Sequence, residues 1–231
     1  MKHLISTLLL VAGVSAAAYP QCNPFYVIKE NGEWHMETFN AKGKPTGKIK
    51  QKVLSYTPTS AGFDATIHSQ IENEKGKEMH AGQYEFHCDN GIIYVDMRNY
   101  IPQEQLAAFG TSELKIDGED LQIPSDLSPG QELKDGSITV SADGGGGIPF
   151  KLNCTVSNRK VVGKETLNTA MGDIECYKVT SVNTIKNQMG IAMTFTFNVV
   201  EWIAPQYGVV KSETYNKNDK LMGYTLLTYK N

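Results

Sequence analysis

The sequence predicts an all-β or β-dominated protein, an antiparallel sheet forming an open barrel or sandwich with one or two short helices. Three observations carry this. Short runs rich in β-branched and aromatic residues recur along the chain, Gly, Asn and Asp punctuate them, and one run alternates with period two. In that run Phe63, Ala65, Ile67, Ser69 and Ile71 oppose Asp64, Thr66, His68, Gln70 and Glu72, the pattern of a strand with one buried face.

The order begins with an export signal. Lys2 and His3 give a positive start, residues 4–14 are almost wholly apolar, and Ala16 and Ala18 fit a small-residue cleavage site before Tyr19. A spanning helix needs about 20 apolar residues, and Gly13 and Pro20 limit this run. Tyr19-Pro20-Gln21 lacks the small residue that lipidation at Cys22 requires. The expectation is a signal peptide over 1–18 and a single β-rich domain over 19–231. Removing 18 of 231 residues leaves 213, and losing Lys2 takes the formal charge from −3 to −4. So mild an acidity argues against a nucleic-acid partner, and no later stretch is long and apolar enough for a transmembrane segment. The expected location is the periplasm or cell surface, as a soluble protein.

Residues 25–28 lead through the Asn31-Gly32 turn to a strand over 34–39, since that dipeptide accepts positive φ. Strands follow at 48–56, 63–72, 78–88 and 92–97, with turns at Glu74-Lys75-Gly76-Lys77 and Asp89-Asn90-Gly91. Residues 102–109, with Pro102 early and Gly110 past the end, read as a short helix. Strands resume at 112–116, 121–124, 137–142, 150–157, 161–169, 174–185, 191–202, 209–215 and 221–229. The Gly144-Gly145-Gly146-Gly147 run is read as a hairpin loop, with a domain boundary as the alternative.

Four cysteines, Cys22, Cys88, Cys154 and Cys176, allow three disulfide connectivities. The preferred pairing is Cys22 with Cys88 and Cys154 with Cys176. An intervening strand over 161–169 would hold the latter two about 9.6 Å apart, beyond the roughly 7 Å limit for bridging, so free buried thiols are the alternative.

Chemistry has no address in the sequence, and no catalytic, cofactor-binding or metal-binding residue is assigned. A hairpin turning at Lys75-Gly76 pairs residues whose numbers sum to 151, so His80 faces Ile71, on the opposite side of the sheet from His68. His80 and His87, seven apart on one strand, also diverge; the alternative is a bulge that shifts the register by one and brings His68 and His80 to one face. Glu72 and Glu74, Asp117, Glu119 and Asp120, and Asp126 read as turn acids. No Gly-x-Ser-x-Gly or Ser-x-x-Lys motif occurs, and the glycine run lacks the Lys-Ser/Thr of a phosphate loop. The aromatics, among them Trp34, Phe63, Tyr84, Phe86, Tyr177, Trp202 and Tyr207, fill a core; alternatively some line a cavity for a lipid-like ligand.

The C-terminal half carries a recognisable succession: Leu121-Gln122-Ile123-Pro124, Asn158-Arg159-Lys160-Val161-Val162-Gly163, Gly172-Asp173-Ile174 with Cys176-Tyr177-Lys178, and Glu201-Trp202-Ile203-Ala204-Pro205 with Gly208-Val209-Val210-Lys211. Over about residues 110–231 it resembles an uncharacterised family of exported bacterial proteins, a domain of unknown function labelled TapB. The resemblance implies a periplasmic or surface β protein and supplies neither activity nor site residues.

The expected function is non-enzymatic binding of a hydrophobic ligand or an envelope protein, with no cofactor. The alternatives are a structural or assembly factor at the envelope and an unrecognised hydrolase. Oligomeric state is left open.

Overall fold

A computed structural model describes residues 22–26, 28–100, 114–142, 150–189 and 191–231. Thirteen strands form one sheet, and every neighbouring pair is antiparallel. In chain order they are β1 (Glu33–Asn40), β2 (Pro45–Pro58), β3 (Gly62–Asn73), β4 (Glu78–Asp89), β5 (Ile92–Val95), β6 (Leu114–Glu119) and β7 (Leu121–Pro124). Then come β8 (Gly136–Ala142), β9 (Phe150–Thr169), β10 (Gly172–Met189), β11 (Ile191–Ala204), β12 (Gly208–Asn216) and β13 (Leu221–Lys230). The spatial order runs β6-β8-β9-β10-β11-β12-β13-β1-β2-β3-β4-β5-β7. The two edge strands, β6 and β7, are consecutive in the chain with only Asp120 between them. One length of backbone thus leaves one edge and joins the other, which curls the sheet into a nearly closed barrel and leaves little edge to aggregate.

The reversals fall where short polar residues tolerate the left-handed region. Asn31, Asn90 and Asp219 take φ of 58°, 47° and 55°, and Gly76 and Gly172 take 74° and 105°. The β3–β4 register pairs His80 with Ile71 and Cys88 with Phe63, as a turn at Lys75-Gly76 requires.

Three expectations are corrected. Residues 25, 26 and 28 are not a strand: Phe25 and Ile28 are buried in the core instead of pairing with β1. The separate strands at 150–157 and 161–169 are one, β9. Asn158 takes φ of 53° inside it and the register against β10 shifts nearby, so the chain bends without leaving the ladder. Asp117 and Glu119, read as turn acids, lie instead in the β6 ladder, where Gly118 between them faces Ile138 and a Cβ would lie 2.3 Å from the Ser137 carbonyl oxygen. The expected helix over 102–109 and the run Gly144 to Gly147 lie outside the described residues. Met97–Tyr100 forms a 3₁₀ turn.

Cys22 and Cys88 form a disulfide with Cα atoms 6.2 Å apart. Cys154 and Cys176 are free and buried, which corrects their expected pairing. On β10, Cys154 pairs opposite Ile185, nine positions from Cys176. At the rise of a strand that is about 30 Å, far past bridging reach.

Following one face across β2, β3, β4 and their neighbours shows how the interior is graded. The lowest layer joins Phe63, Cys88, Ile93 and Ile123, all buried. Above it lie Tyr56, Ala65, Phe86, Val95 and Leu121, then Val53, Ile67 and Tyr84. The fourth layer is Lys230, Trp34, Gln51 and Ser69, and the fifth Met36, Ile49 and Ile71. Ile67 is fully buried, but every residue of the last two layers is only half-buried. Burial is thus greatest at one end of the barrel and falls towards the other, about 27 Å away by strand rise.

Candidate functional site

A cavity of about 320 Å³ occupies the interior. Its walls come from strands distant in sequence but adjacent in the sheet. One wall is apolar, because Met36, Ile49 and Ile71 stand in register across β1, β2 and β3. The other is polar, because Glu201, Ser212 and Thr225 stand in register across β11, β12 and β13. Trp34, Tyr84, Phe86 and Tyr207 line it, so four of the aromatics singled out by sequence do face a cavity.

The segment before β1 completes the wall. Cys22 is tied to β4, and Asn23 is fully buried: its Nδ2 donates to the carbonyls of Gly91 and Ile123, both at 3.0 Å, while its Oδ1 accepts from the Phe25 amide at 2.9 Å. The Gln206 amide donates to the Pro24 carbonyl at 2.7 Å. These bonds set Phe25 edge-on against Tyr177, with centroids 5.5 Å apart, and lay Tyr26 against Phe86 at 5.5 Å. Gly208, at φ of 73°, makes room for that ring: a Cβ there would sit 2.6 Å from Tyr26. Tyr26 was read from sequence as strand, and its place in the wall depends on contacts that alternation does not reveal.

Three charged residues line the cavity. Arg159 is buried, and its Nη1 donates to the carbonyls of Gln122 at 2.9 Å and Lys134 at 2.6 Å. Glu201 is densely surrounded yet keeps surface on the cavity. Burial pushes its pKa up, with the Arg159 charge opposing. Lys230 lies opposite Trp34, its Nζ 5.9 Å from the indole centroid. Burial first and Lys29 second push its pKa down to about 8. The Tyr26 phenol is raised by burial, then by Glu201. Tyr84 is raised by burial, although Gln51 Nε2 donates to its hydroxyl at 2.5 Å. Sequence reasoning missed all three charged residues. Glu201 had a signal, an acid inside the apolar run Val199-Val200-Glu201-Trp202-Ile203; Lys230 had none.

The histidines and turn acids do not form a centre. His68 and His80 point to opposite faces, as do His80 and His87. His87 Nδ1 lies 2.5 Å from Asp64 on an exposed face, and His35 Nε2 lies 2.7 Å from Glu33. Glu72 accepts from Lys50 at 2.6 Å, Glu74 pairs with Lys44 at 3.0 Å and Glu119 with Lys134 at 3.3 Å. Among the described residues, no three His, Cys, Asp or Glu side chains gather as a metal site. A second cavity of about 290 Å³ has Glu85, His87, Asp96, Arg98 and Asp120 in its lining beside Met97, Ile116 and Ile138. There Arg98 forks onto Asp96, and Asp120 accepts from the Met97 amide at 3.4 Å.

With this geometry the chain can be set beside known proteins. No curated protein matches it. A solved structure of a candidate exported protein with a YmcC-like fold, from Bacteroides fragilis, covers 91% of this chain and all of its own length at 22% identity and a TM-score of 0.68. A candidate lipoprotein from Parabacteroides distasonis likewise covers 91% of this chain and 100% of itself, at 19% identity and a TM-score of 0.72. These likenesses show the fold. The DUF3108-like family model matches residues 29–227, well beyond the C-terminal half in which the resemblance was first visible. The chain belongs to the DUF3108-like family.

Proposed function

We propose that this protein works outside the cytoplasm as a non-enzymatic carrier or receptor for a hydrophobic ligand, held in the barrel cavity. The carrying observation is the interior cavity itself, which reaches from Ile123, Leu121 and Phe86 in the buried layers up to an apolar wall of Met36, Ile49 and Ile71 beside aromatic rings. A volume of about 320 Å³ lies at the small end of known ligand sites, roughly 300–1,000 Å³. Export is supported by the signal-like start, the Cys22–Cys88 disulfide, which suits an oxidising compartment, and the naming of both structural neighbours.

The test uses the protein lacking residues 1–18 and the uncharged fluorophore N-phenyl-1-naphthylamine. Its emission should rise on binding. Ile49→Trp and Ile71→Trp, which fill the space from the wall, should each cut affinity by at least tenfold with little change in thermal midpoint. Equal binding by the filled variants, or none by the wild type, overturns the reading. Native mass spectrometry of protein purified from its own envelope then identifies what the cavity holds.

A further inference from the structure

The polar groups of the cavity are unequally satisfied, and the inequality points to the ligand's chemistry. Arg159 is anchored, its Nη1 bonded to two carbonyls that join β7, the segment before β8 and β9. Lys230 is not. No described carboxylate lies within ion-pair distance of it; the nearest acid on its partner strand, Glu33, is engaged by His35, and its contact is the Trp34 ring. No neighbouring negative charge raises its pKa, and the one charge acting on it is that of Lys29. An ammonium mostly removed from water without a counter-ion is a standing cost, unless something that binds there brings the anion.

The sum of charges agrees. The lining holds two cations, Arg159 and Lys230, against one carboxyl, Glu201. Its charge is therefore positive in either state of Glu201, and burial moves that group towards the neutral acid. Ser212 and Thr225, facing each other across β12 and β13, make no side-chain hydrogen bond with described residues and add further donors to this wall.

We infer that the cavity selects a singly charged amphiphile, a long-chain carboxylate, and that Lys230 is the group its head pairs with. This deepens the ligand-site reading above and rests on it. One flexible ammonium suits one carboxylate, whereas phosphate head groups are typically held by arginine forks or several cations, and here the one arginine of the lining is fixed through Nη1 to two backbone carbonyls. The volume suits a single chain, with its tail along Met36, Ile49 and Ile71.

The experiment measures displacement of N-phenyl-1-naphthylamine at pH 7 by oleate and by oleyl alcohol, which share a tail and differ in charge. Wild type should prefer oleate by about 10- to 100-fold, the range for one charge-assisted hydrogen bond. Lys230→Met should bring oleate down to the affinity of the alcohol while leaving the alcohol unchanged, and Lys230→Arg should restore the preference. Equal affinities in wild type, or a preference that survives Lys230→Met, overturn the anion assignment while the cavity remains a binding site. If neither compound displaces the fluorophore, or the fluorophore itself does not bind, the ligand-site reading and this one fall together.

Discussion

The two ends of the barrel treat polar groups in opposite ways. At the closed end Asn23 is fully buried and every hydrogen-bonding arm of its amide is used, on Gly91, Ile123 and Phe25. At the open end Lys230, Glu201, Ser212 and Thr225 face a common space, and no described side chain bonds to them. Buried polar groups in folded proteins are almost always satisfied, as at Asn23, whereas these four are only half-buried, share a cavity and have no described side-chain partner, which leaves them available to a ligand. The closed end is therefore read as structure and the open end as a receptor. Removing groups from the first should cost stability, while removing them from the second should cost binding.

The largest effect should come from the Cys22–Cys88 bridge, which fastens the segment before β1 to β4. It closes a loop of 66 residues, so chain-entropy arguments give about 4 kcal/mol. The double variant Cys22→Ser/Cys88→Ser should lose about this much in urea denaturation, and addition of reductant should bring the wild type to the same midpoint. A loss under about 1 kcal/mol would show that the segment is held by its other contacts. Next comes Asn23→Ala. It orphans two carbonyls and one amide in a dry site, and should cost about 3 kcal/mol. Its counterpart at the open end is Ser212→Ala, which deletes a hydroxyl with no partner among the described side chains and should change stability by less than about 0.5 kcal/mol. Similar costs for the two would dissolve the distinction between the ends.

The contrast also explains what could be read from sequence. Alternation in β3 and the Asn-Gly and Asp-Asn-Gly turns are local signals that depend on residues within a few positions, and the even count of cysteines is a property of composition. They predict strands, the β3–β4 register and one correct disulfide. The site is not local. Lys230 reaches the cavity because β13 pairs with β1, nearly two hundred residues earlier, and a bulge at His35 and Met36 sets which face Lys230 takes. Neither the pairing nor the bulge leaves a mark on a stretch such as Leu227-Thr228-Tyr229-Lys230. Phe25 and Tyr26 misled for the converse reason. A β-like run was drawn into the core by a disulfide and an asparagine, so tertiary contacts overrode local preference. The pairing of Cys154 with Cys176 failed because β9 and β10 turned out longer than the sequence runs implied, which carried the two thiols apart along one ladder.

The effect expected at Lys230 has the opposite sign and discriminates best. The Lys230 ammonium is held below its ordinary pKa, at about 8, by burial and then by Lys29. The unfolded chain keeps this proton to about pH 10.4. Between these values the unfolded state binds more protons than the folded one, so stability rises with pH across that window. The cost of burying the charge is present in full below pH 8 and relieved above it. Lys230→Met removes the charge and keeps the packing length, and water entering the open cavity screens part of the penalty. The variant should be more stable than wild type by about 1–2 kcal/mol at pH 7, with the difference shrinking between pH 8 and 10. Calorimetry at a series of pH values measures it. A variant less stable than wild type at pH 7 would mean that Lys230 is held for the fold, and the open end would lose its distinction from the closed one. A variant that is more stable yet loses its preference for oleate would show the residue trading stability for recognition, as a binding group at an otherwise apolar wall should.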